Sequence, residues 1–227
     1  MTAVFPAPVA ETATKLVLAL PKGRILAECA PVLARAGIVP DPAYADESSR
    51  ALRFATNEEG LDVIRVRSFD VATFVAFGAA AIGICGADVL MEFDYPEIYA
   101  PLDLGIGACR ISVAEPRATA GQDDPATWSR VRVASKYPNV TRRHFAQRGI
   151  QAEVVELNGA MELAPTLGLS RLIVDLVATG STLKANDLVE TEVIAPVTSR
   201  LIVNRTALKT NPELVGVWIQ RFRQALA

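Results

Sequence analysis

The run Leu172-Ile173-Val174-Asp175-Leu176-Val177-Ala178-Thr179-Gly180-Ser181-Thr182-Leu183-Lys184 reads as a buried strand, a turn of small residues and the start of a helix. A strand that feeds a helix through a tight turn is the building unit of a helix-covered α/β sheet. Gly180 lets the backbone turn sharply or approach a ligand closely, and Thr179, Ser181 and Thr182 bring hydroxyl donors. The N–H groups that open the following helix are unpaired and favour negative charge. Asp175 stands near the carboxyl end of the strand, where open α/β sheets place ligand-contacting residues. An ordinary strand-to-helix turn capped by Thr or Ser accounts for the same residues. This stretch alone leaves both readings open.

Working outward, the same alternation recurs. Leu157-Asn158-Gly159-Ala160-Met161-Glu162 leads from a strand over 152–155, ending at Glu156, into a short helix. Val131 to Ser135 reads as a strand, followed by a helix over about 140–147 that stops at Gly149. Near the start, Lys15 to Leu20 is a buried-strand pattern. Pro21-Lys22-Gly23-Arg24 then turns into an amphipathic stretch from Ile25 to Ala36. Lys22 and Arg24 lie beside the amino end of that helix, where cations are unfavourable unless an anion is shared. Two solvated surface charges are the plainer account.

Short strands are expected at 52–55 and 62–66, flanked by Arg50 and Arg67, and an arginine in such a place commonly makes only a surface ion pair. Ser68 or Asp70 is expected to cap the next helix, and Asn211, before Pro212, the last one. A strand at 81–85 leads through Gly86 and Ala87 to Asp88 and another short helix. Gly105-Ile106-Gly107 joins two apolar segments and reads as a crossing between lobes. The polar, turn-rich run 115–125 reads as a mobile loop. Strands at 188–196 and 199–204 lead back to the first lobe. The pattern predicts an α/β protein with mainly parallel, covered sheets in two lobes connected twice. Lobe I is expected to comprise 1–104 plus 190–227 and lobe II 105–189, with ligands between them.

Composition limits the function classes. The 227 residues are 51% hydrophobic, 6% aromatic and carry a net charge of −2, which disfavours nucleic acid as the main partner. Cys29, Cys85 and Cys109 lack the paired spacing of a zinc site or a disulfide framework and read as reduced thiols of a cytoplasmic protein. Residues 1–14 read as a loose tail without the charged start of a secretory signal. Val71 to Ala87 carries no charge over 17 residues. Its glycines at 78, 83 and 86 and the flanking Asp70 and Asp88 argue against a membrane span.

Leu-Ala-Leu-Pro-Lys-Gly-Arg (18–24), Arg67-Ser-Phe-Asp70, Gly83-Ile-Cys-Gly-Ala-Asp88, Glu156-Leu-Asn-Gly-Ala-Met-Glu-Leu-Ala-Pro165 and Asp175 to Asn186 occur in order. With these five motifs, spread between Lys15 and Asn204, the chain resembles the ATP phosphoribosyltransferase family. The resemblance implies two lobes like those of type II periplasmic binding proteins. It also implies transfer of the phosphoribosyl group of phosphoribosyl pyrophosphate to N1 of ATP, the first step of histidine biosynthesis. Because no histidine-binding C-terminal domain follows, it implies the short catalytic form. Such a form works with a regulatory subunit related to histidyl-tRNA synthetase, usually as a hetero-octamer.

The resemblance further implies roles for residues. Arg24 and Arg50 would stabilise the departing pyrophosphate, with Lys22 near phosphates. Ala178, Thr179, Gly180, Ser181 and Thr182 would hold the 5′-phosphate, and Asp175 would reach the ribose hydroxyls. Arg67, Asp88, Glu156 and Glu162 would lie toward ATP. Mg2+ would arrive on the substrate phosphates, with no ligand set assigned to protein side chains. The only histidine, His144, sits in a polar stretch and reads as a surface residue.

Three positions depart from the family pattern: Ala160 replaces a common serine, Gly168-Leu-Ser-Arg171 lacks an acid, and Asp187 replaces a frequent glycine. Two other classes stay open. One is a non-catalytic two-lobe solute-binding module. The other is a Rossmann-like phosphoribosyltransferase, although those usually carry two adjacent acids where this chain has Asp175 and Leu176.

Overall fold

A computed structural model describes residues 15–46, 48–122 and 127–227. The first part of the chain forms β1 (Leu16–Pro21), α1 (Arg24–Arg35), β2 (Arg53–Ala55), β3 (Leu61–Val66), α2 (Ser68–Ala76), β4 (Ile82–Gly86), α3 (Ala87–Phe93) and β5 (Ile98–Asp103). The second forms β6 (Cys109–Pro116), β7 (Arg130–Ser135), α4 (Pro138–Ala146), β8 (Gln151–Glu156), α5 (Leu163–Thr166), β9 (Leu172–Val177), α6 (Ser181–Ala185) and β10 (Leu188–Val197). The chain then returns through β11 (Ser199–Asn204), α7 (Arg205–Thr210) and α8 (Pro212–Leu226).

These make two sheets, and each is the core of a lobe. The first runs β2-β3-β1-β4-β11-β5 and the second β10-β6-β9-β7-β8. In the first, Leu18, Leu20, Ile82 and Ile84 are buried against α1 and α8, which bring in Val32, Leu33, Trp218 and Phe222. The opposite face is covered by Val71, Ala72 and Val75 of α2. In the second, Val133 and Val174 pack with Tyr137, Val140 and Phe145 on one face. Met161, Ala164 and Leu183 cover the other. Strands buried on both faces read as near-continuous apolar runs, which is why β1, β4 and β9 stand out in the sequence.

The sheets are mixed rather than mainly parallel. β1 is parallel to β3 and β4, and β7 to β8 and β9. The strands beside the crossings, β5, β6, β10 and β11, pair antiparallel. A strand that carries the chain from one sheet to the other, or brings it back, has no crossover helix to restore its direction. The return also falls later than expected. β10 pairs with β6 from Leu188 to Val197 and so belongs wholly to the second sheet, and the chain re-enters the first at Ser199 rather than at residue 190.

Other expectations are corrected locally. Arg67, not Ser68 or Asp70, occupies the N-cap position of α2, and no side chain caps it. Asn211 stands at the N-cap of α8 without accepting a helix N–H, its amide donating to Thr210 Oγ1 at 3.1 Å. α7 lies where the sequence pattern predicts no helix; it is capped by Asn204, whose side chain accepts the Ala207 N–H at 2.8 Å. Of the expected loop 115–125, Glu115 and Pro116 end β6 and 117–122 form turns, while the remainder, like the tail 1–14, lies outside the described residues. The uncharged run 71–87 divides among α2, β4 and the start of α3. Among the described residues no helix is long and apolar enough to cross a membrane.

Candidate active site

The lobes enclose a cavity of about 370 Å³. Its wall on the first lobe includes Arg24, and its wall on the second includes Glu162, Asp175 and the loop 178–182. A smaller cavity of about 150 Å³ shares Arg24, Cys109 and Leu176 with it and adds Ser68, Asp88, Lys136 and Tyr137. Residues far apart in sequence thus meet because the carboxyl ends of β1, β4, β7 and β9 face one cleft.

The loop is shaped by Gly180, which caps α6 at φ 78°, ψ 3°. That is the left-handed region glycine occupies without penalty. The cap is therefore a glycine rather than Thr or Ser, which leaves Thr179, Ser181 and Thr182 exposed at the cavity wall. The hydroxyls of Thr179 and Ser181 lie 3.0 Å apart, and Thr179 Oγ1 accepts the Ser181 N–H at 3.3 Å. Three hydroxyls and a set of loop N–H groups at one wall suit a multiply charged oxyanion.

Asp175 is half-buried, and burial pushes its carboxyl up to about 6. The Leu176 N–H, bonded at 2.8 Å, and Lys136 pull it down, while Glu162 and Asp88 push it up. Asp88 is buried and accepts the Tyr137 hydroxyl at 2.8 Å. Its carboxyl is raised by burial, against the pull of that hydroxyl and of Lys136. Lys136 itself sits 4.0 Å over the ring of Phe69.

Among the expected cations only Arg24 lines these cavities. Its Nε lies 3.8 Å from Glu28 Oε1, and Glu28 Oε2 accepts the Gly107 N–H at 2.7 Å. Lys22 is exposed between β1 and α1, with its backbone N–H on the Val66 carbonyl at 2.8 Å. Arg50 is exposed before β2, and Arg67 is exposed at the start of α2. Glu162 joins the cavity wall, whereas Glu156 is exposed at the end of β8 and lines neither cavity. His144 departs from its reading as a surface residue. Its side chain is 9% exposed, burial lowers its pKa, and its Nε2 lies 3.3 Å from Glu192 Oε2.

Several contributors gave no signal in the sequence. Tyr137 and Lys136 sit in a stretch readable only as a helix approach. Glu92 of α3 is buried and receives the N–H groups of Asn139 and Val140 at 2.9 and 3.0 Å, so a carboxylate from one lobe caps a helix of the other. Arg110, Ser112 and Glu190 form a hydrogen-bonded cluster beneath the 178–182 loop. Even the β6–β10 register would not have suggested Arg110 with Glu190, since it sets Arg110 opposite Pro196 and Glu190 opposite Ala114, and the two side chains meet by reaching along the strands.

Residues 67–224 match the family model described as ATP phosphoribosyltransferase. The chain belongs to the ATP phosphoribosyltransferase family. ATP phosphoribosyltransferases similar to it include one from Paramagnetospirillum magneticum, 69% identical over 93% of this chain and 96% of the relative. Another, from Gluconobacter oxydans, is 70% identical over 93% of this chain and 87% of the relative. Among solved structures, a chain of the ATP phosphoribosyl transferase (HisG:HisZ) complex from Thermotoga maritima superposes with a TM-score of 0.79. It is 31% identical, and the match covers 93% of this chain and 98% of that one.

This ATP phosphoribosyltransferase transfers the phosphoribosyl group of phosphoribosyl pyrophosphate to N1 of ATP, giving phosphoribosyl-ATP and pyrophosphate, the first step of histidine biosynthesis. The solute-binding and Rossmann-like alternatives are thereby set aside. Enzymes of the family work with Mg2+.

Two departures from the ATP phosphoribosyltransferase pattern have a backbone signature. Ala160 and Asp187 both adopt positive φ, at 53° and 54°. Aspartate tolerates this region, but alanine is strained there.

Proposed function

We propose that phosphoribosyl pyrophosphate lies in the larger cavity with its 5′-phosphate against Ala178, Thr179, Gly180, Ser181 and Thr182. Asp175 then accepts hydrogen bonds from the ribose hydroxyls, and Arg24, with Lys22 and Arg50, meets the pyrophosphate from the first lobe. ATP enters beside it, toward Arg67, Asp88 and Glu162. The observation that carries this reading is one cavity whose walls join Arg24 to the 175–182 segment of the other lobe.

The chemistry follows from charge. As N1 of adenine attacks C1 of the ribose, positive charge builds on the sugar and negative charge on the departing pyrophosphate. A nucleophilic side chain is not needed for such a displacement. Catalysis rests on holding the two substrates in line and on cations aimed at the leaving group. Arginine suits this because its planar, permanently charged fork matches phosphate oxygens.

We assign Mg2+ to the substrate phosphates. Asp175 and Glu162, hard oxygen donors at the cavity wall, fit contact with a hydrated ion. Among the described residues no three His, Cys, Asp or Glu are grouped to enclose one. When bound, the ion supplies charge neutralisation on the pyrophosphate.

We propose that the chain is a short-form catalytic subunit that assembles with a regulatory subunit related to histidyl-tRNA synthetase, as a hetero-octamer in the cytoplasm; likeness to a chain of the Thermotoga maritima HisG:HisZ complex supports the partner subunit. The described residues of lobe I run over 15–104 and from β11 onward, and those of lobe II from 105 to the end of β10.

The test follows product absorbance with ATP, phosphoribosyl pyrophosphate and Mg2+, with and without the regulatory subunit. Thr182→Val is expected to raise KM for phosphoribosyl pyrophosphate while leaving that for ATP unchanged. An unchanged KM for phosphoribosyl pyrophosphate would overturn the placement of its 5′-phosphate.

A further inference from the structure

We infer that Arg110, clamped by Glu190, is a positioning residue that sets the entry of the 178–182 loop and thereby tunes affinity for phosphoribosyl pyrophosphate. This rests on the proposed placement of the 5′-phosphate in that loop.

The backbone ladder between β6 and β9 runs from Ala114 opposite Ile173 to Arg110 opposite Val177. Ala178 is the first residue beyond it, so the ladder no longer holds the chain where the loop begins. Arg110 continues the hold with its side chain, its Nη1 donating to the Ala178 carbonyl at 3.1 Å. The same guanidinium is fixed on its other edge. Its Nε and Nη2 donate to the two oxygens of Glu190, each at 2.5 Å, and Ser112 Oγ donates to Glu190 Oε1 at 2.7 Å. Glu190 lies on β10, the neighbour of β6 on the side away from β9, so the clamp ties two adjacent strands, β6 and β10, to the carbonyl of the loop that follows β9.

Two features separate this from direct ligand binding. Arg110 is absent from the walls of the cavity, whereas Ala178 and Ser112 line it. Its charge is also matched in a bidentate pair, so its effect passes through the Ala178 carbonyl rather than to the phosphate. Only a fork with three donor nitrogens can hold a carboxylate along one edge and a carbonyl with the third. Lysine keeps the charge but lacks that geometry, and Glu190→Gln keeps the shape but loses the charged acceptor.

Steady-state kinetics of Arg110→Lys, Glu190→Gln and the double variant test the inference. Each single variant should raise KM for phosphoribosyl pyrophosphate about three- to tenfold, the scale of one lost hydrogen bond. KM for ATP should stay unchanged, and the double variant should be no worse than the more affected single, because all three break one clamp. Equal effects on both substrates, additive effects, or no effect would overturn it. Thr182→Val is the control. If it raises KM for phosphoribosyl pyrophosphate while Arg110→Lys does not, the clamp inference fails alone; if Thr182→Val changes nothing, the loop assignment fails and takes the inference with it. Should Arg110→Lys not fold, Glu190→Gln carries the same comparison.

Discussion

The hydroxyl of Tyr137 donates to Asp88 Oδ2 at 2.8 Å, and the bond runs from the second lobe to the first. Both residues are buried, so neither can exchange its partner for water. Glu92, one turn further along α3, adds the capping bonds to Asn139 and Val140, and the two acids together hold α3 against the start of α4.

Removing the hydroxyl has a pH signature. Burial raises the carboxyl of Asp88 in the folded state, and the Tyr137 hydroxyl opposes that rise. A carboxyl raised on folding costs stability as pH climbs through its unfolded value, and that cost is absent at lower pH. Tyr137→Phe deepens it. The expected loss is about 1–3 kcal/mol at pH 7.5 and smaller at pH 4, where less of the buried charge has to be held. Thermal melts at the two pH values check this, and equal losses would contradict it.

Asp175 is expected to be both a binding group and a source of instability. Burial lifts its carboxyl to about 6. Its ionised form, the better acceptor for ribose hydroxyls, is therefore lost as pH falls below that value. The same shift makes the folded state less stable above pH 6 than it would be with a neutral group. Asp175→Asn should raise Tm at pH 7.5, with the gain shrinking toward pH 4. It should also weaken phosphoribosyl pyrophosphate binding and remove one acidic limb from the pH profile of kcat/KM. A wild-type profile retained in the variant would exclude Asp175 as the titrating group.

Arg24→Ala should lower turnover by roughly 10²–10³ if departure of pyrophosphate limits the rate, with folding unaffected because the side chain is exposed. Arg50→Ala should lower turnover as well, although Arg50 stands outside the cavity wall, so its action requires approach of its segment to the bound substrates. Product formation at saturating substrates, with circular dichroism to verify folding, measures both. For either residue, unchanged kinetics with both substrates would remove it from the leaving-group site.

At Ala160 the backbone sits at φ 53° on the segment that precedes Glu162. A left-handed L-residue costs about 1–2 kcal/mol, so Ala160→Gly should raise stability, less the entropy that glycine adds to the unfolded chain. Denaturant midpoints of the two proteins decide it. A lower midpoint for Ala160→Gly would show that the strain is illusory.

Much of this could be read in the residues because local chemistry carried it. β1, β4 and β9 announced themselves as unbroken apolar runs, Gly180 as a turn, and Gly105-Ile106-Gly107 as a crossing. The antiparallel members escaped because strand direction is set by where the chain comes from, which Leu188 to Val197 do not encode locally. Arg24 and Asp175 could be proposed from motifs. Arg110, Glu190, Glu92 and Tyr137 could not, since each acts through a partner 47 to 80 positions away. His144 misled because its charged neighbours suggested solvent, whereas pairing with Glu192 allows it to be buried.

The two passages between lobes are stitched side by side: the Leu104 N–H reaches the Ser199 carbonyl and the Ser199 N–H reaches the Ile106 carbonyl, each at 2.9 Å. At Gly107 an added Cβ would lie 2.6 Å from Ile25 Cδ1, so the stitch also lies tight against α1. Glu28 Oε2, which accepts the Gly107 N–H at 2.7 Å, joins the same seam to α1, the helix that opens with Arg24. The joint between the lobes and the arginine at the cavity wall thus share one helix, so a change at either is felt at the other.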